Sequence, residues 1–345
     1  MSNALKGKFS GSLLGGMLGD IIGAAVEAES PGYIRKNFRN LDEILALESV
    51  PELLVGEWEI GRFTDDTQMT LGVAEWLLRD DALDGKRLLE IFHRAYEPWR
   101  HYGSGTRLIL ESFDNARDSW ADLATAMFPQ GSYGNGSAMR VSPVGLFLHN
   151  DLRGIAQAAR LSSVVTHSHY LAVQGAILQA TAVAVAIKYP SDVTHFVRTL
   201  KSALSHFEDL GQDATIYRNA LTKICEGILK KVPPAKMVDL LGNGIKAHEA
   251  VPMAIYCYLA NPNSFENALE AAVFLGGDTD TIASMTGAIS GAALGESRIP
   301  ERWLKRARET VYTPERVRQV AIDLYEKGLT QNFRRNTSIP RRGTN

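Results

Sequence analysis

Two short segments of this 345-residue chain set carboxylates beside hydroxyls where a helical pattern begins: Thr64-Asp65-Asp66 and Asp278-Thr279-Asp280-Thr281. Asp and Thr are ordinary helix N-cap residues, which accounts for one acid at each place. It does not account for the second. Neighbouring carboxylates repel each other unless a cation or several donors stand between them, and no Lys or Arg flanks Asp278 and Asp280 in the surrounding sequence. Hard oxygen donors of this kind suit Mg²⁺ or Mn²⁺, and calcium less well in the absence of an EF-hand pattern. Four carboxylates also suffice for two ions about 3.5–4 Å apart.

Three further groups carry chemistry. In LGDIIGAAVEAES, Asp20 and Glu27 stand seven residues apart, a spacing that predicts one helix face for both carboxylates. In PQGSYGNGSAMR, the stretch Gly131-Ser132-Tyr133-Gly134-Asn135 leads to a helix expected from near Ala138. Backbone N–H groups exposed at such a helix start make an anion site, and Tyr133 is of a type to stack on a base or ribose. His167 lies at a loop-to-helix junction, where a lone histidine is most often a satisfied polar residue.

The elements that must hold these residues read as helices. Apolar residues recur at three- and four-residue spacing through residues 71–80, 86–99, 171–189, 191–204, 267–275 and 314–328, and alternating strand patterns are scarce. The expectation is a single all-α domain over residues 1–330, with a disordered polar tail over 331–345. Gly15, Gly19 and Gly23 recur every four residues, as do Gly287 and Gly291 with Ala283 on the same stripe. Glycine costs about 1 kcal/mol in a helix interior, so these stripes predict two helices crossing closely, their acidic ends near each other.

Composition narrows the classes. Hydrophobic residues make up 45% and charged residues 22%, and the net charge is −2, which argues against a general nucleic-acid footprint. Two cysteines without a CxxC spacing point to a reducing compartment. The N-terminal segment lacks a convincing signal-peptide run. The most apolar stretch, residues 172–187, contains Gln174 and Gln179 and is read as too short to span a membrane. A soluble, cytoplasmic protein is expected.

In chain order, GxLLGxxxGDxxGxxxE, FTDDTQM, GSYGNGSAMR, TH…GA and GGDTDTIASMTGAISGA resemble the ADP-ribosylglycohydrolases, relatives of dinitrogenase-reductase-activating glycohydrolase and the ADP-ribosyl-acceptor hydrolases. The resemblance runs from about residue 8 to residue 295. It implies a compact all-α fold and two Mg²⁺ or Mn²⁺ ions on Thr64, Asp65, Asp66, Asp278, Asp280 and Thr281. It implies phosphate and ribose binding by Gly131, Ser132, Tyr133, Gly134 and Asn135, with His167 on the adenosine side. Glu27 becomes the candidate for placing water or moving a proton, with Asp66 or Asp280 assisting. The implied substrate is ADP-ribose on a protein side chain, arginine foremost; serine-linked, O-acetyl and nucleic-acid-linked ADP-ribose are alternatives. Two other classes compete: a metal-dependent phosphohydrolase, and an immunity protein that binds an ADP-ribosylating toxin.

Overall fold

The helical spacing is realised as 18 α-helices among residues 2–52, 56–79, 83–208 and 212–330, which the computed structural model describes. The architecture is all-α. The helices that build the site are α1 (Ser2–Ala24), α2 (Asp65–Arg79), α3 (Leu152–Val164), α4 (Tyr170–Lys188), α5 (Ala247–Ala260) and α6 (Thr279–Leu294). The tail expected to be disordered lies outside the described residues.

The two glycine stripes meet. A methyl group at Gly15 would be driven into the carbonyl of Gly287, one at Gly19 into that of Ala283, and one at Gly23 into that of Thr279. Each four-residue step down α1 is therefore matched by a four-residue step up α6, so the helices run antiparallel with backbones in contact. Hydroxyls close the crossing: Ser12 Oγ donates to the Ala288 carbonyl at 2.9 Å and Thr279 Oγ1 to that of Gly23 at 2.8 Å. This register brings the end of α1 to the start of α6, the acidic ends the stripes were expected to juxtapose. Thr279, which had no assignable chemistry, is turned away from the acids and fixes that register.

Three features depart from the pattern reading. Residues Ser49–Glu52 and Gly56–Glu59 form an antiparallel hairpin, β1–β2, pairing Ser49 with Glu59. The helix expected to reach residue 99 ends at Ala95, where Tyr96 takes an extended backbone ahead of Pro98. Helix α4 reaches 19 residues and is apolar enough to cross a membrane by length and composition, contrary to the shorter span read from the sequence. Its apolar window is 94% buried inside the fold, and the amide nitrogens of its two glutamines are paired there: Gln174 Nε2 donates to Asp213 O and Gln179 Nε2 to Met285 O, both at 3.0 Å, while the two side-chain oxygens are buried without a partner. Its hydrophobicity serves the core. Cys225 and Cys257 are both free thiols.

Candidate active site

Asp20 does not face Glu27 across one helix surface. Helix α1 ends at Ala24, and Glu27 is carried by the turn that follows, where Ala28 has a left-handed φ of 62° and donates its N–H to Gly277 O at 2.9 Å. Asp20 points the other way, fully buried, into the start of α2. It accepts the N–H groups of Thr64 and Thr67, each at 2.9 Å, and their hydroxyls at 2.9 and 2.5 Å. A carboxylate at a helix N-terminus satisfies orphan donors and complements the dipole. Because Asp20 caps α2 from another helix, Asp65 and Asp66 are released from capping and turn into the cleft.

Asp20→Asn should therefore keep the fold yet lower turnover about 10–100-fold, since an amide cannot accept on both sides and outer supports of a metal site carry that much. Steady-state assay at saturating Mg²⁺, beside a melting curve, reads the loss; turnover equal to the parent's would contradict it.

Glu27, Asp278 and Asp280 each offer a carboxylate oxygen, and these oxygens lie within 4.8 Å of one another. Asp65, Asp66 and Thr281 line the same cleft, with Thr281 Oγ1 donating to Asp66 Oδ2 at 3.3 Å. Asp278 stands at the N-cap of α6 without making a side-chain cap. Thr64 is placed differently from the others: fully buried, its hydroxyl donates to Asp20 and it stands one layer behind the cleft wall.

Burial drives the acids away from ionisation. It pushes Asp65 up to about 8, with the Asp20 and Glu27 charges adding, and Asp278 up to about 7, with Glu27 adding. Asp66 and Asp280 are raised well above the carboxylate range, first by burial and then by their acidic neighbours. Asp66 Oδ1 is buried without a hydrogen-bond partner, and among the described residues no Lys or Arg forms an ion pair with Asp66, Asp278 or Asp280. An orphaned oxygen among repelling carboxylates is the donor set a hard divalent cation satisfies. The residues present fit a metal.

The glycine-rich segment forms the adjoining wall. Asn135 Nδ2 donates to Asp278 Oδ2, tying the segment to the acids. Its backbone pairs with the approach to α5, Asn135 N to Ile245 O at 2.9 Å and Ala247 N to Tyr133 O at 3.0 Å. No α-helix starts near Ala138: a 3₁₀ turn spans Asn135–Ser137, and the α-helix begins at Ser142, ahead of Pro143. The expected helix-terminus anion site is thus replaced by a turn, whose Ala138 and Met139 amides are used on Asn135 O.

His167 packs beneath this turn, so close that a methyl on Gly136 would meet its Cε1 at 2.7 Å. Burial, and then the charge of Arg140, lower its pKa to about 3, which makes the ring neutral at physiological pH. Ser132, Gly134, Asn135 and His167 line the cleft. Gly131 does not, and Tyr133 projects outward, half-exposed, against His169 and His248 in a neighbouring depression. The stacking role expected of Tyr133 has no support in this placement.

The model for the ADP-ribosylglycohydrolase family matches residues 1–333. The chain belongs to the ADP-ribosylglycohydrolases. Human ADP-ribosylhydrolase ARH3 is 36% identical over 325 residues, covering 86% of this chain and 88% of that protein. An uncharacterized protein of Archaeoglobus fulgidus is 31% identical over 322 residues, 92% of this chain and 96% of its own length. A solved ADP-ribosylglycohydrolase-related protein complex shares the fold with a TM-score of 0.62 at 24% identity, covering 94% of this chain and 99% of that one. This glycohydrolase is accordingly a hydrolase of ADP-ribose linkages with an acidic group able to hold a metal.

Sequence reasoning passed over one wall of the glycohydrolase cleft: His101, with Gly103 to Thr106 after it, and Met127 and Phe128 packed against that segment. The glycines of HYGSG, next to an aromatic run, were the available signal.

Proposed function

We propose that the chain hydrolyses the glycosidic bond joining the distal ribose of ADP-ribose to a modified protein side chain, arginine being the first acceptor to test. The observation that supports this reading best is the Asn135–Asp278 hydrogen bond, which joins the glycine-rich wall to the acids in a single cleft. Polarity changes along the cleft as ADP-ribose does: carboxylates at the buried floor, the turn and neutral His167 in between, and half-exposed Met127 and Phe128 at the mouth. A ribose suits the floor, a diphosphate the polar wall between, and an apolar base the mouth.

Asp65, Asp66, Asp278, Asp280 and Thr281 would hold two Mg²⁺ or Mn²⁺ ions, with Thr64 behind them. Such ions, when bound, orient the ribose hydroxyls and ease water deprotonation. Glu27, partly exposed at the cleft edge, is placed to orient the water that attacks C1″ and to take its proton. As the C1″–O bond to that water forms, the C1″–acceptor bond breaks, and the proton taken by Glu27 passes to the leaving side chain. Positive charge developing on the sugar is stabilised by the carboxylates around it. His167, held neutral, packs the turn without competing for anions.

The test is incubation with Mg²⁺ and targets modified separately on Arg, Ser and nucleic acid, with EDTA as control. Release of free ADP-ribose and intact acceptor supports the reading. Release from serine alone would replace the acceptor and leave the reaction. AMP or inorganic phosphate as the product would overturn it in favour of a phosphohydrolase.

A further inference from the structure

We propose that His101 is a positioning residue that holds Glu27 turned into the cleft; the inference rests on the role given to Glu27 above. His101 Nδ1 lies 3.4 Å from Glu27 Oε2, and both side chains line the cleft. The distance is long for a hydrogen bond, as is common at catalytic groups before substrate binds.

Glu27 needs such a holder. Its inward neighbours are Asp278 and Asp280, whose like charges drive it toward solvent, and its side chain is 34% exposed. It sits on a turn after α1 rather than on a helix. A donor on the side away from the aspartates favours the inward rotamer over the outward one.

His101 is itself clamped. Its ring packs against Trp58 of β2 with centroids 4.4 Å apart and the planes tilted by 53°. On one side, Arg100 is gripped by buried Glu309 through bonds of 2.8 and 3.0 Å and donates to Phe63 O at 2.7 Å. On the other side, Tyr102 donates to Gln68 Oε1 at 2.5 Å. The contact is also where the backbone departs from the ordinary. Three non-glycine residues have left-handed φ among the described residues, and two lie at this contact: His101 itself at 59° and Ala28, next to Glu27, at 62°. Conformations of that kind cost about 1–3 kcal/mol each and persist where the surroundings over-determine them. A glycine would relieve the strain at residue 101; the histidine supplies the donor instead.

The experiment uses the Mg²⁺-loaded protein and four variants: His101→Gly, His101→Asn, Glu27→Gln, and Glu27→Gln with His101→Gly. Glycine relaxes the left-handed backbone and removes the donor, whereas asparagine tolerates that backbone and keeps a donor near Nδ1. His101→Gly should lower kcat for ADP-ribose release about tenfold, with affinity for free ADP-ribose by calorimetry within about twofold of the parent. His101→Asn should recover most of the loss. The double variant should be no slower than Glu27→Gln alone. Multiplying losses in the double variant, or asparagine as slow as glycine, would overturn the proposal. A second readout is independent of the reaction. Amide hydrogen exchange at Ala28 and Glu29 should rise in His101→Gly and not in His101→Asn. If the parent releases ADP-ribose from no acceptor, the proposed function fails while exchange still reads the positioning; unchanged exchange in His101→Gly overturns the positioning itself.

Discussion

A chain carrying Asp278→Asn and Asp280→Asn together is expected to release ADP-ribose at least about 1000-fold more slowly, a loss of about 4 kcal/mol in transition-state stabilisation, while melting higher than the parent in EDTA. The two effects have one cause. Both aspartates are buried beside Glu27 and Asp66, and without a cation their charges repel. Asp278 and Asp65 titrate near 7 and 8 in the folded chain, far above the ordinary value of 3.8. The folded chain therefore binds more protons than the unfolded one between about pH 4 and pH 8. The resulting stability is fully present below the unfolded pKa and is lost as pH rises through 7 and 8. In EDTA the parent should melt progressively lower from pH 5 to pH 8, and saturating Mg²⁺ or Mn²⁺ should flatten that slope by binding the folded state alone. The double variant should start higher at pH 8, by about 5 °C, and show a smaller slope and a weaker response to metal. Calorimetric scans at several pH values, with and without metal, read all three. A double variant that melts lower than the parent in EDTA at pH 8 would mean the aspartates are not a repelling pair.

The acids were legible because each motif carried more carboxylate than a cap requires, and Asp278 and Asp280 have no nearby cation in the chain. The helices were legible from spacing, and the α1–α6 crossing from glycines whose cost in a helix demanded a close neighbour. What spacing hides is direction beyond a helix end. Asp20 and Glu27 fit one face only if the helix continues, but α1 stops at Ala24 and the turn sends the two acids to different tasks. Asp20's partners are 44 and 47 residues away, so no local pattern contains the cap it makes. His101 was missed for the same reason, since its partner lies 74 residues off and its signal is a backbone angle. The helix expected near Ala138 begins at Ser142 because the carbonyl of Asn135 takes the 138 and 139 amides in a tighter turn. Apolar length misled in α4, where a buried core helix and a membrane span share one composition.

Gly19→Ala should destabilise the chain by about 4 kcal/mol, beyond the usual overpacking cost, and lower its melting temperature by about 8 °C. Alanine is the better helix former, so propensity alone predicts a gain of about 1 kcal/mol. The crossing reverses the sign. A Cβ at residue 19 would enter the carbonyl of Ala283 and the amide of Ser284, which are backbone atoms of α6 and cannot rotate aside. The helices must separate or slide. Gly7→Ala is the matched control, on the same helix with nothing within 4 Å of the added carbon, and it should stabilise by about 1 kcal/mol. Sliding α6 along α1 also moves Asp278 and Asp280 relative to Glu27, and displaces Asp20 from Thr64 and Thr67. The Gly19 variant should therefore lose metal response and turnover even at temperatures where it stays folded, which Gly7→Ala should not. Equal melting of the two variants would mean that the backbones do not touch. Loss of stability with metal affinity intact would mean that the acids are held by something other than this crossing. The joint loss is the expected result, because the contact that admits only glycine is also the one that sets the distance between the carboxylates.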